Sequence, residues 1–123
     1  MPRVCTGVDL VEIKRFATAV ERHKERFLLR VFTSRELAEV GESLASLAAR
    51  FAAKEAVAKA FGTGIGAIRW QEVEILRGPA RQPELQLHGE ALRLAETQGL
   101  RYWSLSLSHD RDYAIAMVVA LGD

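Results

Sequence analysis

Apolar residues recur at helical spacing in the middle of the chain and predict a long helix that begins near Ser43 or Leu44 and ends at Gly62. The segment is rich in alanine, which favours the helix and allows neighbouring backbones to pack closely. Glu55 falls near the middle of the apolar stripe and interrupts it. At 100° per residue, that stripe consists of Leu44, Leu47, Ala48, Phe51 and Ala58.

The carboxylate of Glu55 needs an explanation, because burying an unpaired charge is unfavourable. A cation, a metal ion or a cleft that opens into the core would each provide one. A local interpretation is also open: Glu55 and Lys59 stand at i and i+4, and such a pair contributes about 0.2–0.5 kcal/mol on an exposed helix. The helical pattern does not decide between a functional site and this ion pair.

A short apolar run opens the chain and predicts a strand. The run from Val4 to Ile13 is interrupted at Gly7 and Asp9, which indicates an edge-like strand that breaks where a helix begins near Glu12. Asp9 is therefore expected at the end of this strand.

Two further helices are predicted before the long one. The first carries a run of basic residues and ends near Lys24. Thr33 and Glu36 have the spacing of a capping box, so a second, short helix is expected to begin there and to stop at Gly41.

After the long helix the pattern changes to alternation. Residues 70–76 and 84–88 predict two strands joined by a turn that contains Pro79 and Pro83, and together they form a hairpin. Residues 89–98 predict a helix that Gly99 ends.

The C-terminal pattern predicts a second hairpin. Residues 101–108 alternate apolar residues with serine, as in a two-faced strand, and a turn follows at residues 109–112. Residues 113–121 are apolar at nearly every position, which predicts a strand covered on both faces. Antiparallel hairpins with segregated helices indicate an α+β fold, with sheet packed on the long alanine-rich helix, in one domain over residues 1–123.

Composition limits the classes of function. The 123 residues are 49% hydrophobic and 27% charged, which excludes a disordered chain. This length is enough for a single hydrophobic core, and association with other chains would bury further surface. Cys5 is the single cysteine and forms no internal disulfide, which fits a reducing compartment. Because no apolar run reaches spanning length and the start does not resemble a signal peptide, we expect a cytoplasmic protein.

The net charge of +1 hides a basic segment near the start of the chain. On an ideal helix Arg15, Arg22 and Arg26 align within about 40°, giving a positive stripe that would attract an acidic partner. The alternative is an ordinary solvated face, and the alignment fails if the helix ends before Arg26. A nucleic-acid binder would need a more basic chain with interleaved aromatic residues, which the sequence lacks beyond Phe16 and Phe27.

Three short features could supply chemistry if they converge: Asp9, the pair Glu55 and Lys59, and His109. Two carboxylates and a lysine suit a site for magnesium and a diphosphate, because Mg²⁺ takes one or two carboxylates beside substrate phosphates. Zinc fits poorly, since one cysteine and three scattered histidines give no ligand spacing. For His109 a turn residue hydrogen-bonded to the backbone is the alternative.

Two motifs are weaker than they look. The glycines from Gly62 to Gly66 follow a helix, whereas nucleotide-binding loops precede one, so helix termination is the simpler interpretation. Ser108 beside His109 lacks the turn that exposes a serine nucleophile and fits the polar face of a strand.

Three segments together resemble one family. They are the run from Gly7 to Phe16, the run from Ala49 to Gly64 that contains Arg-Phe-Ala-Ala-Lys-Glu-Ala, and Leu105 to His109. In this order, and over essentially the whole chain, they resemble the holo-acyl-carrier-protein synthases, the small 4′-phosphopantetheinyl transferases. Val57 and Ala58 depart mildly from the pattern, where the family often has bulkier or hydroxyl residues.

The resemblance implies that the chain transfers 4′-phosphopantetheine from coenzyme A to a serine of an apo acyl carrier protein, in fatty acid biosynthesis, releasing adenosine 3′,5′-bisphosphate. It implies that Asp9 and Glu55 hold Mg²⁺ on the diphosphate, and that Lys59 pairs with a phosphate oxygen. The base that accepts the serine proton stays open between Glu55, a metal-bound water and another group.

The resemblance also implies the binding surfaces. Arg50 and His109 would contact the adenosine-side phosphate, and the positive stripe would dock the carrier protein. The family is typically a homotrimer with coenzyme A at the subunit interfaces. The remaining cleft-lining residues implied by similarity are Phe51, Gly62, Thr63 and Pro83. A binding module for coenzyme A or carrier protein, without catalysis, is the alternative function.

Overall fold

The computed structural model describes residues 2–41 and 43–123 of the chain. Its strands pair in antiparallel sheets, and most of its helices are grouped between them in the sequence, which confirms the α+β class. In chain order the elements are β1 (Arg3–Glu12), α1 (Ile13–Val31), α2 (Ser34–Val40), α3 (Leu44–Phe61), a 3₁₀ turn (Trp70–Glu72), β2 (Val73–Arg77), β3 (Pro83–Leu87), α4 (Gly89–Gln98), β4 (Leu100–His109) and β5 (Tyr113–Gly122).

Two antiparallel sheets surround α3. The larger has the order β1-β5-β4, so that β1 is an edge strand as predicted and β5 is central, and β2 and β3 form a separate hairpin. The register places Ala116 of β5 opposite both Asp9 of β1 and Leu107 of β4. The core lies between this sheet and α3, where buried alanines from both elements meet.

Local signals set most helix ends. Thr33 and Glu36 form both hydrogen bonds of the predicted capping box, and α2 ends at Gly41. Ser43 caps α3 by accepting a hydrogen bond from the Ser46 N–H at 3.2 Å, and Gly62 ends the helix with a left-handed φ of 83°. These ends are confirmed as predicted.

Two predicted ends differ in outcome. The first helix is broken near Lys24, as predicted, where the backbone adopts φ 46° and ψ −129°, and a second helical stretch beyond this kink continues α1 to Val31. The strand predicted from residue 70 begins only at Val73, because Trp70–Glu72 forms a 3₁₀ turn.

Asp9 is not at a strand end, because β1 runs unbroken to Glu12. Gly7 does not interrupt the strand either; it brings β1 against α3. A Cβ at Gly7 would overlap the carbonyl oxygen of Ala56, so only glycine permits this approach. Gly7 therefore fixes the separation of β1 from α3 close to Asp9 and Glu55.

The strand β5 is covered on one face, not on both. Its inward residues, Ala114, Ala116, Val118 and Ala120, are fully buried against α3. Successive residues point to opposite sides of a strand, and the outward set, which includes Met117, is 39–50% exposed at four positions. The prediction was wrong for a single chain because α3 lies on only one side of the sheet.

A buried ion pair joins α2, α3 and β2. Lys54 and Glu36 are both 0% exposed, and their Nζ and Oε1 atoms lie 2.9 Å apart. The Lys54 ammonium also donates to the carbonyls of Trp70 and Val73, while Glu36 accepts from the Ile75 N–H. Burial lowers the pKa of Lys54, and the charge of Glu36 opposes that effect. No pattern in the sequence indicated this charged pair at the centre of the fold.

Candidate active site

Asp9 and Glu55 line one cleft, on facing elements that Gly7 holds together. The cleft has a volume of about 450 Å³ and lies between β1, α1 and α3. Its polar residues are Asp9, Glu12, Arg15 and Glu55, and its apolar ones are Leu10, Val11, Phe16, Ala19, Phe27 and Phe51. We call it the acidic cleft.

The Glu55 carboxylate has no protein partner. It is half-buried, and among the described residues nothing donates a hydrogen bond to it or forms an ion pair with it. Burial raises the pKa of Glu55, the negative charge of Asp9 raises it further, and Lys59 opposes both. Two carboxylates that repel each other in a partly desolvated cleft are suited to share a cation.

The local ion pair between Glu55 and Lys59 does not form. The Lys59 ammonium instead lies 3.1 Å from Asp9 Oδ1 and 2.9 Å from the Val8 carbonyl oxygen. The i,i+4 interpretation of Glu55 is therefore wrong, and the alternative of a functional site remains. Lys59 is half-exposed, so its ammonium remains accessible beside the carboxylates.

The donor set fits magnesium bound together with a substrate. Over residues 2–41 and 43–123, no three histidine, cysteine, aspartate or glutamate side chains form a cluster able to hold a metal by themselves. Asp9 and Glu55 offer two hard oxygen donors. Mg²⁺ uses one or two carboxylates and completes its shell with water and phosphate oxygens, so two suffice.

Gly7→Ala should weaken the electrostatic interaction of Asp9 with Glu55 in the folded protein. The new methyl would push β1 away from Ala56, which lies next to Glu55, and the weakened repulsion by Asp9 should lower the pKa of Glu55. The pKa can be followed by carboxyl NMR. Gly122→Ala is the matched control, because its Cβ would overlap the carbonyl oxygen of Gly99 away from the cleft. An unchanged Glu55 pKa in folded Gly7→Ala protein would contradict this role.

A second cleft brings together three other predicted residues. Arg50, Pro83 and His109 line a pocket of about 130 Å³. Arg50 is only 5% exposed, and its guanidinium donates to Glu39 Oε1 at 2.9 Å and to the Glu36 carbonyl oxygen at 3.3 Å. The pocket, which we call the basic cleft, is also lined by Ser46, Ala49, Ile75, Arg77, Arg81 and Leu107. Arg77 and Arg81 were not predicted as site residues, although both belong to the predicted hairpin.

The other predicted coenzyme contacts lie elsewhere in the chain. Phe51 lines the acidic cleft and stacks on Trp70 with ring centroids 5.0 Å apart. Thr63 lines a third cleft, beside α4. Gly62 is exposed at the end of α3. A single chain therefore does not gather the predicted coenzyme contacts into one cleft.

The positive stripe is not a straight row. Arg15 lines the acidic cleft, whereas Arg22 and Arg26 lie on either side of the kink at Lys24. The alignment requires one uninterrupted helix, and it fails here because the backbone of Lys24, which precedes Arg26, is not helical. Arg15 and Arg22 still share the straight first part of α1.

No helix within the described residues is both long and apolar enough to cross a membrane.

Comparisons with known proteins agree with this geometry. The family model for the 4′-phosphopantetheinyl transferase superfamily matches residues 5–118. A holo-[acyl-carrier-protein] synthase of Herpetosiphon aurantiacus is 48% identical, over 95% of this chain and 98% of that protein. One of Dehalococcoides mccartyi is 50% identical, over 94% and 96%. The crystal structure of the Helicobacter pylori holo-[acyl-carrier-protein] synthase in complex with coenzyme A has a TM-score of 0.86 at 33% identity, over 94% of this chain and 98% of that one.

Proposed function

The chain belongs to the 4′-phosphopantetheinyl transferase superfamily, and we propose that it transfers 4′-phosphopantetheine from coenzyme A to a serine of an apo acyl carrier protein. The observation that carries the proposal is the half-buried Glu55 carboxylate, which has no protein partner and lies near Asp9 in a cleft. Within the described residues Glu55 has no partner that would explain it structurally, and Asp9 has only the half-exposed Lys59. The pair of carboxylates suits a reaction on a diphosphate, whose charge needs a cation.

In this reaction the serine oxygen forms a bond to the β-phosphorus of coenzyme A. The bond from that phosphorus to the bridging oxygen breaks, and adenosine 3′,5′-bisphosphate leaves with the electron pair. The serine proton passes to a base. Bound magnesium would neutralise the diphosphate and the charge that develops on the leaving oxygen.

The residues of the chain would divide the work. Asp9 and Glu55 would hold the metal through hard oxygen donors. Lys59, now 3.1 Å from Asp9 Oδ1, would turn to a phosphate oxygen, which its half-exposed position allows. The basic cleft would take the adenosine side of the coenzyme, with Arg50, His109 and Pro83.

We propose a homotrimer in which the coenzyme lies between two subunits. Two observations support this assembly. The predicted coenzyme contacts lie in separate clefts of one chain, and contacts from a second chain would complete such a site. The outward face of the β1-β5-β4 sheet is apolar and uncovered, with Val8, Leu10 and Met117 each at least 50% exposed.

The proposed place of action is the cytoplasm, in fatty acid biosynthesis. The half-buried thiol of Cys5 is free in the structure, which suits a reducing compartment. The whole sequence, residues 1–123, would then act as one transferase domain.

The direct test is a mass measurement on the carrier protein. The chain is incubated with coenzyme A, Mg²⁺ and several apo carriers, with and without excess chelator. We expect the mass of one phosphopantetheine to be added to a carrier, loss of the reaction in chelator, and recovery with Mg²⁺ or Mn²⁺. Binding of coenzyme A without any mass gain would favour the binding module instead. Full activity in chelator would exclude the metal.

The basic part of α1 should set the affinity for the carrier. Reversing Arg15 and Arg22 to glutamate should raise the carrier KM about tenfold or more, and added salt should weaken the wild-type reaction. Arg22→Glu alone should leave the coenzyme KM nearly unchanged, because Arg22 lies outside the acidic cleft. Reversing Arg69 and Arg101, which are exposed on other elements, changes the net charge equally and is the control. If both double variants have the wild-type carrier KM, this surface is only solvated.

A further inference from the structure

The basic cleft contains more positive charge than the predicted contacts explain. Arg50 is its most buried cation, and the two terminal nitrogens of its guanidinium already donate to Glu39 and to the Glu36 carbonyl. Glu39 is held in place in turn by the backbone N–H of Arg77 at 3.0 Å. Although burial favours its protonated form, these bonds lower the pKa of Glu39, so it stays charged beside Arg50. The positive charge that Arg50 brings to the cleft is therefore largely neutralised by Glu39.

Arg77 and Arg81 reach the same cleft from the β2–β3 hairpin. Both are exposed, and in the described part of the chain neither guanidinium makes a hydrogen bond or an ion pair within the 4.0 Å limit for such pairs. Arg77 lies at the end of β2, and Arg81 lies in the turn that follows. A guanidinium without a partner can bind a phosphate through two parallel N–H bonds.

The backbone of Arg81 is in a conformation that favours glycine. Its φ is 67°, in the left-handed region, which is unfavourable for a residue with a Cβ. The turn itself is closed by backbone bonds, from the Arg81 N–H to the Gly78 carbonyl and from the Gly78 N–H to the Gln82 carbonyl. Glycine would make the same bonds without strain. The turn therefore gives no reason for arginine at this position, whereas the cleft does.

We propose that Arg81, assisted by Arg77, binds the 3′-phosphate of coenzyme A and makes the enzyme select coenzyme A over its 3′-dephospho form. The inference rests on the proposed function. The 3′-phosphate is a dianion on the adenosine side of the coenzyme, and it matches the two unpaired guanidinium groups that line this cleft. The buried Arg50 and the exposed His109 line the same cleft, and Arg81 is the residue that distinguishes the two coenzymes.

Arg81→Gly tests this assignment without endangering the fold, because glycine relieves the strained φ. We expect the KM for coenzyme A to rise about tenfold at unchanged kcat, while the KM for 3′-dephospho-coenzyme A stays the same. The melting temperature should be equal or higher. Arg69→Gly is the control, since Arg69 is exposed outside the cleft. Arg81→Lys keeps the charge but not the planar fork, so its KM for coenzyme A should lie between those of the wild type and Arg81→Gly.

A second measurement does not depend on transfer. Calorimetric titration with adenosine 3′,5′-bisphosphate and with adenosine 5′-monophosphate should show that Arg81→Gly weakens binding of the first about tenfold and of the second hardly at all. If wild type and Arg81→Gly bind each nucleotide with the same affinity while transfer is intact, the role of Arg81 is overturned but the proposed function is not. A lower melting temperature in Arg81→Gly would show that the arginine is structural. Absence of both transfer and coenzyme binding in the wild type would overturn the proposed function itself.

Discussion

Glu55→Gln should reduce transfer to the carrier by at least a hundredfold and leave the fold intact. Glutamine keeps the shape of the side chain but loses the charge that would hold a cation against the diphosphate, an effect that amounts to several kcal/mol in the transition state. Because the carboxylate makes no hydrogen bond or ion pair in the described structure, its removal breaks nothing. Carrier mass and melting temperature should be measured on the same sample.

The stability of Glu55→Gln follows from the sign of the pKa shift. Burial and Asp9 raise the pKa of Glu55, so above the ordinary value of 4.5 the folded chain binds more protons than the unfolded one. Stability of the wild type therefore falls as pH rises through the interval between the unfolded and folded pKa values. At neutral pH the variant should melt at the same or a higher temperature. Glu96→Gln, at an exposed position on α4, is the control. A destabilised yet active Glu55→Gln protein would show that the carboxylate is structural.

Lys54→Met should destabilise the chain by about 3–5 kcal/mol, which is the typical penalty for removing one partner of a buried ion pair. The Glu36 carboxylate would remain fully buried without its cation, and two backbone carbonyls would lose a donor. Urea unfolding measures the change. Lys14→Met, at an exposed position on α1, should alter stability by less than about 0.5 kcal/mol.

The double variant Glu36→Gln with Lys54→Met separates charge from packing. If the uncompensated carboxylate causes the loss, replacing it with a neutral amide should recover part of the stability, and the two substitutions should not be additive. Additive losses would mean that the pair contributes only through its separate hydrogen bonds. Lys54 immediately precedes Glu55 on α3. Lys54→Met and Glu55→Gln therefore test whether one of two adjacent charges serves stability and the other the transfer reaction.

Sequence signals that act over three or four residues were sufficient for the helix ends. The capping box at Thr33 and the glycine at position 62 act on their own turn of helix, and the structure has both. The break predicted near Lys24 is also present, but neither proline nor glycine marks it, and the chain resumes a helix that runs to Val31. Local patterns therefore predicted where helices begin and stop, but not the second helical stretch that follows the break.

Longer-range features escaped prediction because their partners are distant in the chain. The periodicity of α3 suggested one apolar stripe, but this helix is buried on most of its circumference by sheet on one side and helices on the other. The fully buried charge is thus Lys54, whose partner Glu36 lies 18 residues earlier. Likewise Arg77 and Arg81 join Arg50 only through the packing of the hairpin against α3.

The layer between α3 and β5 has a consequence for how substitutions act on this protein. Its inward side chains are mostly alanine, which has no rotamer freedom to lose on folding, so two backbones approach closely without side-chain entropy loss. The same choice leaves no room for growth: a larger residue at Ala116 or Ala52 must displace a backbone. The large aliphatic residues of β5 lie on the opposite face. Substitutions on the inner face should therefore be limited by side-chain volume, whereas those on the outer face should be limited by polarity only where the proposed homotrimer covers it. Alternate residues of one strand would then be under two different constraints.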